Sequence, residues 1–195
     1  MKPSLVLLAL LLAPLASAAE RIAVIPKGTT HSFWKSVEAG ARQAGQELGV
    51  EIIWKGPLKE DDRAQQIGVV QQFVSSGVSA IVLAPLDETA LRSPVKSAND
   101  RKIPVVIFDS ALKGEAGKDF VSLVATDNRR GGEMGGEELA RLLNGKGKVV
   151  LLRYSEGSAS TDAREAGFLD VRKRHHAITI TVENRYGGAN VSSAQ

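Results

Sequence analysis

The sequence predicts an α/β protein built on a doubly wound parallel sheet. Short apolar runs begin near residues 22, 51, 80 and 105, and their spacing of 25 to 29 residues matches one strand–helix–strand unit. Several runs are apolar at consecutive positions, which is typical of parallel strands covered on both faces. Between the runs, apolar residues recur with the helical period. This alternation favours a right-handed, doubly wound arrangement.

The first half of the chain predicts four strands joined by three crossover helices. The strands are Ile22 to Ile25, Glu51 to Trp54, Ala80 to Ala84 and Val105 to Phe108. The helices are indicated by apolar faces within 33–48, 64–74 and 91–98. Asp61 or Asp62 is expected to cap the second helix and Gly77 to end it. Pro104 is expected at the first position of the fourth strand, where its missing N–H is tolerated.

The regular spacing of strands and helices changes after Ser110. The remaining elements are predicted as a strand at 121–125, a helix at about 128–143, a strand at 149–152, a helix at about 161–174 and a strand at 178–182. Two lobes of about five strands each need roughly 270 residues. The second half therefore has too few strands, and its small, polar tail, Gly187 to Gln195, is expected to have no partner element.

Composition excludes several classes of protein. Of the 195 residues, 43% are hydrophobic and 24% are charged, a balance that excludes disorder as the main state. The net charge of +3 comes from interspersed charges of both signs, so it gives little support to a nucleic-acid partner. The chain has no cysteine and therefore no disulfide framework, thiolate metal site or thiol nucleophile. We expect neither a metal nor a cofactor.

The first residues have the layout of a secretory signal peptide. Lys2 precedes an apolar run of about eleven residues, which is too short to anchor the chain across a bilayer core of roughly 30 Å. Small residues follow, so we expect residues 1–19 to be the signal peptide, with cleavage after Ala18 or Ala19. No later segment is apolar enough to span a membrane. An exported, extracytoplasmic or periplasmic protein is expected.

Candidate binding residues follow the strands. In open α/β sheets, ligands bind beyond the carboxyl ends of the strands. The turn after the first strand contains His31, Phe33 and Trp34, and flat aromatic faces of this kind stack on sugar rings. Either aromatic residue could instead simply pack the first helix on the sheet. Asp109 ends the fourth strand and could accept hydrogen bonds from vicinal hydroxyls or cap a turn.

Several segments of the chain occur in the same order as the motifs of a known family. The matching segments are Ile22 to Ile25 with Phe33 and Trp34, Ala80 to Pro85 with Asp87, Ile103 to Val106 leading to Asp109, Thr126 to Asn128 with Gly131 and Gly132, and Arg164 before Gly167 and Phe168. Over about residues 21–168 the chain resembles the periplasmic sugar-binding proteins of the ribose-binding type, the solute-binding components of ABC importers. It also resembles the ligand-binding half of LacI-type repressors, which share that fold.

The resemblance implies a two-lobed fold with a monosaccharide enclosed between the lobes. It implies an N-terminal lobe over residues 20–125 and an incomplete C-terminal lobe over 126–195, as in a truncated member. By position, the ligand-binding residues would be His31, Phe33, Trp34, Asp109, Ser110 and Arg164. Ser110 stands where ribose binders commonly have arginine, and His31 where they have asparagine. The implied partners are a sugar and an inner-membrane permease, and a monomer is expected.

Other functions remain as alternatives. A LacI-type regulator would carry an N-terminal helix-turn-helix where the signal peptide stands. A binding protein that serves a sensor kinase or chemoreceptor has the same sequence features, and a non-functional fragment is a further alternative. An enzyme is not expected, because GxSxG, P-loop and HExxH motifs are absent. The glycines at 131, 132, 135 and 136 do not form a GxGxxG motif and are interpreted as allowing close packing.

Overall fold

A computed structural model of the protein describes residues 20–194, and the predicted signal peptide lies outside this range. Strands and helices alternate along the chain. They are β1 (Arg21–Ile25), α1 (Ser32–Leu48), β2 (Glu51–Trp54), α2 (Arg63–Ser76), β3 (Ala80–Leu83), α3 (Arg92–Asp100), β4 (Val105–Phe108), β5 (Ser122–Val124), α4 (Asn128–Leu142), β6 (Gly147–Arg153), α5 (Ala159–Arg174) and β7 (Ile178–Tyr186).

The N-terminal unit, formed by β1 to β5 with α1 to α3, contains a five-stranded sheet in the order β2-β1-β3-β4-β5. Every neighbouring pair of strands is parallel. Ile25, Ile81, Leu83 and Ile107 are fully buried in the core, because helices cover the central strands. The predicted α/β, doubly wound parallel sheet is confirmed. Its strand order reverses between β1 and β3, which places a ligand crevice beyond the carboxyl ends of these strands.

The start of α2 shows how one predicted cap works. Asp62, not Asp61, precedes the helix, and its carboxylate accepts a hydrogen bond of 2.8 Å from the Gln65 N–H. This bond satisfies one of the N–H groups that a helix leaves unpaired at its first turn. At the other end Gly77 has φ +70°, as expected of a glycine that ends a helix.

Replacing Asp62 by alanine is expected to lower the free energy of unfolding by about 1 kcal/mol, because the cap is lost. The melting temperature should fall by about 2–4 °C in a chain of this size. Asp61→Ala is the matched control, since in the part of the chain described the Asp61 carboxylate accepts a hydrogen bond only from the Asn190 side chain. Thermal unfolding followed by circular dichroism measures both variants; equal melting temperatures would contradict the assignment of the cap.

The C-terminal unit, formed by α4, β6, α5 and β7, contains a parallel two-stranded sheet. The two helices pack against each other at very short range. A Cβ atom at Gly132 would overlap the backbone carbonyl of Arg164, and one at Gly136 would approach Val171, whereas Gly131 and Gly135 face open space. The interpretation of these glycines as packing residues is therefore correct for Gly132 and Gly136 and wrong for the other two.

Two further expectations are corrected. Pro104 directly precedes β4, which begins at Val105, because the ladder needs an N–H that proline lacks. The tail does have partners. The Gly187 N–H donates to the Arg153 carbonyl at 2.8 Å, and the Asn190 amide donates to Asp61 at 3.0 Å. The tail thus reaches the N-terminal unit.

The two units touch through side chains and main chain. The Glu88 N–H donates to the Gly157 carbonyl at 3.0 Å, and Gly157 lies so close to Asp87 that a Cβ there would collide with the carboxylate. The chain passes from one unit to the other between β5 and α4. Within residues 20–194, no helix has the length and apolar character needed to cross a bilayer.

Candidate functional site

A cavity of about 380 Å³ lies between the two units, at the carboxyl ends of β1 and β4. This volume is in the range of small-molecule sites, roughly 300–1,000 Å³. Its lining residues are Lys27, His31, Phe33, Trp34, Glu60, Asp109, Tyr154, Ser160, Thr161 and Arg164. Five of the six residues predicted from the sequence therefore meet at one cavity, and Ser110 does not line it.

The two adjacent aromatic residues play different parts. Both lie in the first turn of α1, which begins directly after the β1 turn. Trp34 is only 2% exposed and packs edge-on against Phe108, with ring centroids 6.2 Å apart. Phe33 is 55% exposed and lies edge-on to Trp34 at 4.8 Å. Trp34 is thus the residue that packs α1 on the sheet, and Phe33 offers an aromatic surface to the cavity.

Asp109 ends β4 in an unusual backbone conformation. Its φ is +62°, in the left-handed region that aspartate adopts more readily than most residues. The Asp109 N–H donates to the Val124 carbonyl at 2.9 Å, which fixes this turn against β5. The carboxylate is 23% exposed, and one oxygen lies 3.5 Å from the Lys27 ammonium. The partly exposed carboxylate thus forms part of the cavity lining.

Lys27 is a buried cation that sequence reasoning did not single out. Its side chain is 4% exposed, and its ammonium donates to Ser158 Oγ at 3.2 Å and Ser160 Oγ at 3.1 Å. Burial lowers the pKa of Lys27 below its ordinary value, while the nearby carboxylates of Asp109 and Glu60 act in the opposite direction. Lys27 thus connects the β1 turn, the Asp109 carboxylate and the first turn of α5.

The α5 helix forms the opposite wall. Arg164 lies four residues after Ser160 and three after Thr161, so it neighbours both on the surface of this helix. Arg164 is exposed, and its guanidinium forms no hydrogen bond or ion pair with residues 20–194. Its five N–H donors are therefore free to meet a bound molecule.

Glu60 is the second carboxylate of the cavity and was also missed. It accepts hydrogen bonds from the Trp34 indole N–H at 2.7 Å and from the Tyr154 hydroxyl at 2.8 Å. His31 Nδ1 lies 2.8 Å from the oxygen that Trp34 also contacts. Burial and the neighbouring Glu60 raise the pKa of Tyr154 above its ordinary value. A weaker signal for Glu60 was available, because it lies in the segment between β2 and α2, although Asp109 follows β4 directly.

Ser110 has a different place from the one predicted. It is fully buried, and its Oγ accepts a hydrogen bond of 3.1 Å from the Ser160 N–H. It follows the left-handed turn at Asp109, so its hydroxyl meets the N-terminus of α5 instead of the cavity. Ser110 therefore joins the two units.

The charges of the cavity balance. Lys27 and Arg164 are formal cations, and Glu60 and Asp109 are formal anions. In the described part of the chain, no group of three histidine or carboxylate side chains is placed to hold a metal ion. A neutral molecule with several hydroxyl groups suits such a lining best, since it brings no net charge into a partly enclosed site.

The model of the periplasmic binding protein domain family matches residues 22–195. Among curated proteins, the D-ribose/D-allose-binding protein of Pseudomonas aeruginosa is 35% identical over 155 residues, covering 77% of this chain and 49% of that protein. The ribose import binding protein of Escherichia coli is 28% identical over 181 residues, covering 90% of this chain and 59% of that protein.

Solved structures of sugar-transport binding proteins are also similar to this chain. The periplasmic component of an ABC-type sugar transport system from Hahella chejuensis has a TM-score of 0.84 and 33% identity, covering 89% of this chain and 62% of that one. A solute-binding protein of an ABC transporter from Agrobacterium vitis, with bound D-fucose, has a TM-score of 0.80 and 35% identity, with coverages of 86% and 58%. The chain thus spans about half to two thirds of the length of these relatives.

Proposed function

Because the chain belongs to the periplasmic binding protein domain family, we propose that it is an extracytoplasmic solute-binding protein that encloses a monosaccharide between its two units. The observation that carries this proposal is the cavity itself. It combines an exposed aromatic ring, a partly exposed carboxylate and an exposed guanidinium, on walls that belong to different units. Neutral, polyhydroxylated molecules match that combination.

Each wall would hold a different part of the sugar. The Phe33 ring would stack on the C–H face of the sugar ring, since such faces desolvate readily against an aromatic surface. Asp109 would accept hydrogen bonds from two vicinal hydroxyls, with Lys27 fixing one of its oxygens at 3.5 Å. Arg164 would donate from the C-terminal unit. Binding would involve closure of the units and no covalent chemistry.

The cellular role that we propose follows from the family. Members of this family are substrate-binding proteins, and the relatives named above include sugar-binding components of ABC importers. We propose delivery of the sugar to a permease of the inner membrane, after export through the N-terminal segment 1–19. His31, Phe33, Asp109 and Arg164 remain the proposed ligand contacts, whereas the buried Trp34 and Lys27 are proposed to support the cavity by holding Glu60 and Asp109 in place.

Isothermal titration calorimetry against D-ribose, D-allose, D-arabinose, D-fucose and D-tagatose tests the proposal. We expect at least one of these sugars to bind with a dissociation constant in the micromolar range or tighter, about −8 kcal/mol. D-Gluconate is the matched negative control, because its carboxylate adds a net charge that the balanced cavity does not offset. A cooperatively folded sample that gives no heat with any of the five sugars would count against a monosaccharide ligand.

A further inference from the structure

The two carboxylates of the cavity differ in how they are used. Asp109 has one oxygen 3.5 Å from the Lys27 ammonium, and its side chain lines the cavity at 23% exposure. Glu60 has both oxygens engaged by protein groups, with Trp34 and His31 on one oxygen and Tyr154 on the other. Its side chain is 13% exposed, which is less than that of Asp109. Glu60 is therefore poorly placed to accept ligand hydroxyls.

The bond between Glu60 and Tyr154 crosses from one unit to the other. Glu60 follows β2 in the N-terminal unit, and Tyr154 directly follows β6 in the C-terminal unit, 94 residues away along the chain. The hydrogen bond from a hydroxyl to a charged carboxylate is stronger than a hydrogen bond between two neutral groups. The Trp34 indole holds the acceptor in place, because Trp34 is fixed in the core at 2% exposure.

Opening of the units would break this bond and hydrate both partners. The net stabilisation of the closed form is then smaller than the bond strength itself, but a charge-assisted bond still shifts a two-state equilibrium by about tenfold. Such a shift acts on ligand affinity through the fraction of molecules that are already closed.

We propose that Glu60 and Tyr154 form a latch that holds the two units together before a ligand enters, so that both are positioning residues for closure and not ligand contacts. The latch itself stands on the contacts between the units, and only its effect on affinity rests on the proposed sugar-binding function. Tyr186, the other tyrosine of the chain, stacks on Arg153 within the C-terminal unit and has no part in the latch.

The latch is tested without any ligand, by measuring the distance between the units. The chain has no cysteine, so Gln46→Cys and His176→Cys introduce the only two labelling sites, one exposed position on each unit. Double electron–electron resonance between nitroxides at these sites is compared for the parent, Tyr154→Phe and Tyr186→Phe. Tyr154→Phe removes one hydroxyl and keeps the ring, and Tyr186→Phe is the matched control.

We expect Tyr154→Phe to increase the population at long distances about tenfold relative to the closed population, and Tyr186→Phe to match the parent. Adding Glu60→Gln to Tyr154→Phe should lengthen the distances no further. Distances in Tyr154→Phe that are unchanged from the parent would overturn the latch, as would a large shift caused by Glu60→Gln in the Tyr154→Phe background.

A second readout reports the environment of Tyr154. In Tyr186→Phe, Tyr154 is the one remaining tyrosine, and its tyrosinate absorbance should develop at higher pH than in a free tyrosine, because burial and Glu60 raise its pKa. Ordinary titration of Tyr154 in the folded protein would contradict the latch. If none of the tested sugars binds while the distances change as expected, the proposed function fails and the latch stands.

Discussion

Asp109→Asn should weaken sugar binding by about hundredfold or more while leaving the fold intact. Two hydrogen bonds from sugar hydroxyls to a carboxylate contribute about 1.5–3 kcal/mol each, and a neutral amide replaces one of the two acceptor oxygens by a donor. Asparagine is the suitable replacement, because it tolerates the left-handed conformation at φ +62° that alanine would strain. Calorimetry with the sugar that binds the parent most tightly measures the loss.

The same substitution affects Lys27 in a way that depends on pH. The buried ammonium loses its nearest carboxylate, so the pKa of Lys27 should fall further below 10.5, its ordinary value. Between the lowered pKa and 10.5 the unfolded chain binds more protons than the folded one, and stability therefore rises with pH in that window. The stability deficit of Asp109→Asn relative to the parent should shrink as the pH is raised toward 10.

Asp100→Asn is the control for both effects. Asp100 ends α3, is exposed, and pairs with Lys96 at 2.8 Å, so its removal alters a surface ion pair that contributes little. It should bind sugar like the parent. Sugar affinity of Asp109→Asn within threefold of that of the control would show that Asp109 is not a ligand contact.

The fold was predictable because the chain repeats one pattern. Parallel strands buried on both faces require apolar residues at consecutive positions, and those runs identify β1, β3 and β4 without ambiguity. The ends of the elements were less predictable. At residue 147 the sequence gives no apolar signal, although β6 begins there, because pairing with β7 involves backbone groups that glycine also carries.

The site was predictable where a single rule applied. Parallel strands place their carboxyl ends on one edge, so residues after β1 and β4 were expected at the same edge of the sheet, and Phe33 and Asp109 both line the cavity there. The ligand role of these residues stays a prediction. Glu60 was missed because the segment after β2 was considered only for helix capping, although the same rule covers it.

Other features of the site depend on side-chain orientation and on burial, which the order of residues along the chain does not reveal. Nothing at residue 110 signals that its hydroxyl meets α5 and not the cavity. Lys27 lies in the predicted binding turn, but its burial depends on how closely α5 approaches that turn. The approach of α5 is in turn fixed by Gly132 and Gly167, whose neighbours in space lie far away along the chain.

Gly132→Ala is therefore expected to have the largest effect on stability. A methyl group at Gly132 would overlap the main-chain carbonyl of Arg164, and Gly167 meets the Arg129 carbonyl in the reciprocal way. Neither obstacle can be relieved by rotating a side chain, so α4 and α5 would have to move apart. Overpacking costs about 1–3 kcal/mol, and a backbone obstacle places this substitution at the upper end. The melting temperature should fall by about 6–12 °C.

Gly131→Ala is the matched control on the same turn of α4. Among residues 20–194, a methyl group there meets no atom within 4 Å outside its own stretch of helix, and alanine is the better helix former by up to about 1 kcal/mol. The two neighbouring substitutions should thus change the melting temperature in opposite directions. Because Arg164 lies at the point of contact, Gly132→Ala should also weaken sugar binding, and Gly131→Ala should not. Equal stability of the two variants would mean that α4 and α5 do not pack closely at Gly132. In that case the contact between these helices would not position Arg164 at the cavity.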